Sequence, residues 1–374
     1  MGRRLTVVQL LPALNAGGVE RSTLEIGAAL VAAGHRSVVV SAGGRQVEWL
    51  VAQGSEHVAL DIGRKSVFAL RHVSALRRLF AELAPDIVHA RSRLPAWLGW
   101  RALRGLAAAK PPGSRPHFVT TVHGLNSPGW YSAVMTRGER VICVSNTVRD
   151  HVLLHYPHIE PARLTVIPRG VDTTEFPFGY APDDAWRAGF DASFPQLAGG
   201  LLLTLPGRGT RLKGHADAIE LLAGLVARGL DCRLLLLGAE EPGREAYLRE
   251  LRALAQQRGV AERLVISPPR DDVREIYAVS NLVLQLSTRP EAFGRTVIEA
   301  IALCRPVLGY AHGGVGELLA ELYPDGRVPP GDITRLIERA AELLRLAPPI
   351  APLRRFRLAD MQAATLDLYA QVSG

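Results

Sequence analysis

Short runs of β-branched and aliphatic residues recur along this chain. Each is followed by a stretch whose apolar positions fall at i, i+3 and i+4, and that alternation leaves few folds open. The first series of runs is LTVVQLL, RSVVVSA, DIVHAR, FVTTVHG, RVICVSN and LTVIPRG. Each reads as a strand buried on both faces, as a parallel sheet covered by helices requires. The rhythm then restarts: GLLLTLPG, CRLLLLGA, RLVISPP, NLVLQLS and RPVLGYA alternate with GHADAIELLAGLVARG, REAYLRELRALAQQRG, DDVREIYAVS and RTVIEAIAL. The expected fold class is α/β, two Rossmann-like doubly wound parallel-sheet domains facing across a cleft. A chain of 374 residues, 48% of them hydrophobic, is long enough to bury two cores.

Between the two series lies PRGVDTTEFPFGYAPDDAWRAGFDASFPQLAGG, rich in Pro, Gly and aromatic residues, which reads as a linker. The expected domains are residues 1–170 and 171–352, with a C-terminal helix at 353–374 packing back toward the first domain.

Composition narrows the class. No apolar run approaches the roughly 18 residues that would span a bilayer. The N-terminal MGRRLTVVQLLPALNAGG has the basic-then-apolar order of a signal peptide, but Gln9 and Asn15 interrupt it and no A-x-A site follows, so Leu5–Leu11 reads as a strand. Cys143, Cys232 and Cys304 are odd in number, far apart and set in apolar contexts. They suggest neither a disulfide framework nor a zinc site, and a reducing cytosol is the simplest setting. Charge is uneven: up to Gly170, 21 Lys and Arg stand against 10 Asp and Glu, and beyond it 23 stand against 26. A basic first half suits a polyanionic partner, or is simply a solvated arginine-rich surface.

Ligands of open parallel sheets sit at the carboxyl ends of the strands, so loops after strands hold the candidates. In LNAGGVERSTLEIGAAL, Gly17 and Gly18 would let backbone N–H groups at a helix N-terminus approach an anion. In LPGRGTRLKGHADAIELL, Arg208, Arg211 and Lys213 precede a helix, an arrangement that suits phosphate; it is neither a Walker loop nor a dinucleotide fingerprint. In NLVLQLSTRPEAFGRTVIEAIALC, Glu291 falls on a loop and Glu299 in the first turns of the following helix. Such acids can accept hydrogen bonds from vicinal hydroxyls, form a general acid/base pair if they face each other, or answer an arginine or a helix dipole. DIVHARSRLPAWLGWRALRG ends a strand with Arg91 and Arg93 and continues with Trp97 and Trp100, a basic and aromatic edge suited to an anionic saccharide.

Taken in order, these pieces resemble the family 4 retaining glycosyltransferases of GT-B fold, of the bacterial lipopolysaccharide-core type. E-x7-E with FG inside and RPV after it, AGGVERSTLEIGAALVAAGH, VICVSNTVRDHV, IPRGVDTTEF, GRGTRLKG and DDVREIYAVSNLVLQLS carry the resemblance, which covers nearly the whole chain. It implies a hexose moved from a nucleotide diphosphate sugar, with UDP the expected nucleotide, to a lipopolysaccharide-core or other cell-surface glycan, with no cofactor and no metal. Arg208 and Lys213 would hold the diphosphate, with Gly17 or Gly18 offering backbone contact. Glu291 and the backbone of Ala292, Phe293, Gly294, Arg295 and Thr296 would grip the donor sugar, and Glu299 the ribose. His123 would take a positioning or transition-state role, and Arg91, Arg93 and Trp97 the acceptor. Cys304 stands where this family usually has Gly, and GYAHGG, with His312, replaces a more usual polar turn.

The implied partners are the sugar nucleotide, a phosphorylated saccharide or lipid-linked glycan, and optionally the cytoplasmic face of a membrane, against which SVFALRHVSALRRLFAEL could lie. Two rivals stand: a sugar-nucleotide hydrolase or epimerase of the same fold, and a nucleic-acid binder. The second is disfavoured because the anion-binding loops cluster at strand ends rather than along a surface.

Overall fold

The computed structural model describes residues 3–15, 17–64, 71–107 and 115–374. Its contacts divide the chain into two compact units, Met1–Arg169 with Leu358–Gly374, and Gly170–Arg357. The expected divisions lay at 170 and 352.

In chain order the first unit runs β1 (Thr6–Leu10), α1 (Gly18–Ala32), β2 (Arg36–Ser41), α2 (Val47–Ala52), β3 (Glu56–Ala59), α3 (Arg71–Leu83), β4 (Ile87–Ala90), α4 (Arg93–Ala107), β5 (His117–Val122), β6 (Arg140–Cys143), α5 (Asn146–His155) and β7 (Leu164–Val166). The second runs α6 (Asp184–Ser193), β8 (Leu201–Pro206), α7 (His215–Ala227), β9 (Cys232–Leu237), α8 (Glu245–Gln257), β10 (Leu264–Ile266), α9 (Val273–Val279), β11 (Leu282–Gln285), α10 (Arg295–Ala302), β12 (Val307–Tyr310), α11 (Gly313–Leu322), β13 (Arg327–Val328) and α12 (Ile333–Leu346). The last helix, α13 (Leu358–Ser373), returns to the first unit.

The first sheet has the order β3-β2-β1-β4-β5-β6-β7 and the second β10-β9-β8-β11-β12-β13, all pairs parallel. Both are doubly wound, and in both the winding reverses beside the first strand of the unit, between β1 and β4 and between β8 and β11. Strands β4, β11 and β12 are buried throughout, which is why their sequences are largely continuous apolar runs rather than alternating ones.

Helix α13 is part of the first core. Met361, Leu368 and Tyr369 pack with Leu5, Val7, Ile87, Val119 and Ile142 of the sheet and with Ile26 and Leu30 of α1. Burying side chains of this size contributes on the order of 2 kcal/mol each.

Three elements depart from the sequence reading. β3 was not expected: it is an edge strand whose Glu56 and Ala59 are exposed, so it lacks the apolar run of its neighbours. β13 pairs over two residues only. The supposed linker contains α6, capped by Asp183, whose carboxylate accepts from the Trp186 N–H at 2.7 Å, and anchored by the Trp186 indole donating to Asp272 at 2.9 Å. Of the basic stretch SVFALRHVSALRRLFAEL, residues 66–70 lie outside the described residues. No described helix is long and apolar enough to cross a membrane.

Candidate functional site

The switch point of the second sheet brings together two loops more than seventy residues apart in sequence. β8 leads through Gly207–Gly214 into α7, and β11 leads through Ser287–Gly294 into α10. Their backbones touch: the Thr288 N–H donates to the Leu212 carbonyl at 2.9 Å. Gly214, at φ 75°, caps α7 where any side chain would collide with the Leu286 carbonyl. The contact sets Lys213 Nζ 2.6 Å from Glu291 Oε1, each side chain about a quarter exposed at 27% and 26%. Glu291 accepts two further hydrogen bonds, from Gln285 Nε2 at 3.0 Å and from the Ser287 hydroxyl. The carboxylate is therefore fixed by three donors from two loops and a strand.

Behind it lies the N-terminus of α11. A Cβ on Gly313 would stand 2.6 Å from the Glu291 carbonyl oxygen, and one on Gly314 would stand 2.5 Å from the Phe293 Cα. The Gly314 N–H donates to that same carbonyl at 2.8 Å. The glycines of GYAHGG thus let the Glu291–Gly294 turn rest directly on a helix end, and His312 Nε2 hydrogen-bonds the Ser287 carbonyl at 2.7 Å. Ala292 and Phe293 belong to this turn, Phe293 packing on Phe356. Gly294, at φ 115°, precedes the opening residues Arg295 and Thr296 of α10. The N-termini of α7, α10 and α11 all follow from the central strands β8, β11 and β12, and each carries a partial positive charge.

Glu299 is 8% exposed on the second turn of α10, with Arg295 Nε 3.3 Å from its Oε1. Burial first, and Glu299 second, hold the nearby Tyr277 hydroxyl in its protonated form, hydrogen-bonded to Thr296. Arg211 is committed to α8, 2.6 Å from Glu250 and 5.1 Å over the Tyr247 ring, so Lys213 and the exposed Arg208 are the cations the Gly207–Gly214 loop presents.

The switch point of the first sheet is built differently. Gly17, at φ 149°, caps α1, and Gly18 opens it. Arg91 was expected on an open edge, but it is 3% exposed: Nε donates to Gln9 Oε1 at 2.7 Å and Nη1 to the Ser22 hydroxyl at 3.0 Å. The strand-end guanidinium turns into the unit because Gln9 of β1 and the first turns of α1 offer acceptors there. Next to it the Tyr369 hydroxyl bonds His89 Nδ1 at 2.6 Å, and His89 Nε2 bonds the Thr121 hydroxyl at 2.6 Å. Burial, with the guanidiniums of Arg91 and Arg169 nearby, keeps His89 neutral; burial pushes Tyr369 up to about 12.

His123 follows β5, and its Nδ1 contacts the guanidinium of Arg169. Arg93 donates to the Ser132 hydroxyl at 3.2 Å and lies over the Tyr131 ring, and the Trp97 indole donates to the Tyr131 carbonyl at 2.9 Å. Gln285, Ser287, His89 and Gln9 escaped the sequence reading. The available signal was a polar residue inside a run otherwise buried on both faces.

Residues 16–175 match the family model Glycosyltransferase Family 4, and residues 197–355 match Glycosyl transferases group 1, the two covering most of the chain between them. The chain belongs to the family 4 glycosyltransferases. Among curated relatives, a D-inositol 3-phosphate glycosyltransferase of Xylanimonas cellulosilytica is 28% identical over 309 residues, 77% of this chain and 72% of that protein. The crystal structure of a glycosyltransferase from Rickettsia africae superimposes with a TM-score of 0.86 at 24% identity, covering 99% of both chains. Anabaena HepE in complex with UDP-glucose superimposes with a TM-score of 0.81 at 18% identity, over 98% of this chain and all (100%) of that one. These likenesses identify the fold of this glycosyltransferase as GT-B.

Proposed function

We propose that this glycosyltransferase moves a hexose from a UDP-linked sugar to a hydroxyl of a phosphorylated acceptor, with retention of the anomeric configuration and without a metal. The observation that carries the reading is the Lys213–Glu291 pair, fixed at the switch point of the second sheet beside the helix N-termini. As the bond from sugar to phosphate breaks, negative charge grows on the departing diphosphate. Lys213, Arg208 and the helix ends are fixed positive groups that interact with that charge most strongly once it has formed. Glu291, already held in place, accepts hydrogen bonds from the hydroxyls of the transferred sugar, with the backbone of Ala292–Thr296 beside it. Glu299 accepts from the ribose. Gly17 and Gly18 contribute backbone contact to the phosphates. His123, oriented by Arg169, positions the reacting sugar.

HepE, solved with UDP-glucose, supports the nucleotide. On the acceptor side the likeness to the D-inositol 3-phosphate glycosyltransferase of Xylanimonas supports a phosphorylated polyol, so the lipopolysaccharide-core acceptor expected from the sequence becomes one member of a wider class of phosphorylated acceptors. Arg93 and Trp97 are the acceptor candidates, and Arg91 shapes the loop from inside. The reading places the enzyme in the cytoplasm, where its donor would be available.

A binding panel of UDP, GDP, ADP and their glucose conjugates tests the donor, with Lys213→Ala and Glu299→Ala alongside. The expected outcome is selective binding of a UDP-sugar, weakened at least tenfold in both variants. Indifference to all nucleotides would sink the reading. An inverted anomer in the NMR spectrum of the product would refute retention, and activity lost to a chelator would refute metal independence.

A further inference from the structure

One face of the first unit is made of indoles and guanidiniums. Trp97 and Trp100 stand edge to face on α4 with ring centroids 5.7 Å apart, and Trp130 meets Trp97 at 5.7 Å. Arg137 lies 4.3 Å over Trp100, Arg104 4.9 Å over the same ring, and Arg101 5.9 Å over Trp97. Arg101, Arg104 and Arg137 are exposed, and among the described residues none of the three pairs with a carboxylate. Several surface arginines elsewhere do, among them Arg36 with Glu56, Arg211 with Glu250, Arg252 with Glu240 and Arg258 with Glu220. Trp130 is 77% exposed.

Stacking on indole offsets part of the repulsion among these cations, at about 0.5–1 kcal/mol per exposed pair, but leaves their outer N–H groups without an anion. Positions 97, 100/101 and 104 recur at helical spacing, a stripe roughly 10 Å long at 1.5 Å per residue. Arg137 and Trp130 widen it from the neighbouring loop. This is a surface rather than a pocket for one sugar ring. Guanidiniums suit phosphate, and an exposed indole suits the layer where headgroups meet acyl chains.

We propose that this face docks on an anionic lipid bilayer, with Trp130 entering the headgroup layer and Arg101, Arg104 and Arg137 meeting lipid phosphates. It extends the proposed function, because a lipid-linked acceptor would be met at such a surface, but vesicle binding is read without donor or acceptor. A bound polyanion such as a sulfated glycan would use the same cations and have no use for Trp130, and this difference separates the two partners.

The test is co-sedimentation of the full chain with vesicles of phosphatidylcholine alone or mixed with phosphatidylglycerol, with tryptophan emission recorded on the same samples. Binding is expected only with phosphatidylglycerol, together with a blue shift in emission. Arg101→Glu/Arg104→Glu should weaken it at least 25-fold, about fivefold for each cation removed. Trp130→Ser should weaken binding and reduce the blue shift while leaving UDP-sugar binding as in the parent, which also shows that the variant is folded. The proposal is overturned by no affinity for phosphatidylglycerol vesicles. It is equally overturned by dextran sulfate binding as tightly as vesicles, or by Trp130→Ser leaving vesicle binding unchanged. Vesicle binding by a chain that ignores UDP-sugars would remove the proposed function and leave the docking face standing.

Discussion

The two units repeat one winding and place polar residues at the same topological point, yet they use them in opposite ways. In the first, Arg91, Gln9, Ser22, His89, Thr121 and Tyr369 are buried, and their hydrogen bonds run between β1, β4, β5, α1 and α13. In the second, Lys213 and Glu291 stand on loops and keep about a quarter of each side chain in solvent, at 27% and 26%. A cation turned inward fixes the arrangement of secondary elements, because losing it strands its acceptors in a dry interior. A cation that keeps part of its side chain in solvent and has a single carboxylate partner can turn its remaining N–H groups to a ligand. The same sheet edge thus serves architecture in one unit and ligand binding in the other.

Exchanging the two losses gives the largest expected effects. Lys213→Ala should lower kcat by about 10²–10³, the cost of one donor to developing charge, with a thermal transition close to that of the parent. Arg91→Met should act on the fold instead. Leaving Gln9 and Ser22 without their shared donor costs about 3 kcal/mol, which is a fall of about 6–12 °C in the transition of the first unit. Kinetics and calorimetry on both variants check this. If Arg91→Met keeps the parent's transition and loses turnover, the buried network is not architectural and the contrast collapses.

Acid should strike both units through one residue type, the buried histidine. Burial lowers His215 from 6.5 to about 4 and holds His89 well below its ordinary value. Each is neutral when folded and takes up a proton more readily when unfolded, so the stability it supports is complete above pH 6.5. That stability is lost as pH falls toward the folded-state value. For His215 the loss reaches about 3 kcal/mol at 1.36 kcal/mol per unit. Carboxylates held low by arginines, such as Asp272 beside Arg270, contribute their loss at lower pH, so the interval from pH 6.5 to 4.5 reports the histidines. Melting temperatures across that interval should fall in the parent and fall less in His215→Asn. Equal slopes would show that His215 does not govern the acid loss.

Most of the architecture was legible because buried parallel strands must be continuous apolar runs and the helices between them must be amphipathic. β3 was hidden because an edge strand has no such requirement on its outer residues, and α6 because its Pro- and Gly-rich surroundings outweighed an Asp cap. The site was legible as positions and less so as partners. Glu291 and Lys213 could be placed at strand ends, but their direct contact depends on the Thr288–Leu212 backbone hydrogen bond, which no local pattern encodes. Arg91 was misplaced because a strand-end arginine looks the same in sequence whether it faces solvent or the interior. Gln9, which turns it inward, and Tyr369, which lies beside it, stand far away in the chain.

The smallest effect expected concerns Cys304. It follows α10 at φ 62°, in the left-handed region, with its N–H bonded to the Ile301 carbonyl at 3.0 Å and the Arg305 N–H to the Ala300 carbonyl at 2.9 Å. This double bond pattern closes a helix in a Schellman motif, whose left-handed residue is usually glycine because a Cβ is strained there. The strain costs roughly 1–2 kcal/mol, whereas glycine loses about 0.5–1 kcal/mol more on folding than a residue with a side chain. Cys304→Gly should therefore stabilise the second unit by about 0.5–1 kcal/mol, raising its transition by about 1–4 °C. Cys304→Ala keeps the Cβ and should gain nothing, and Cys304→Val should lose stability because branching worsens the same clash. If alanine gains as much as glycine, the thiol rather than the backbone governs the site.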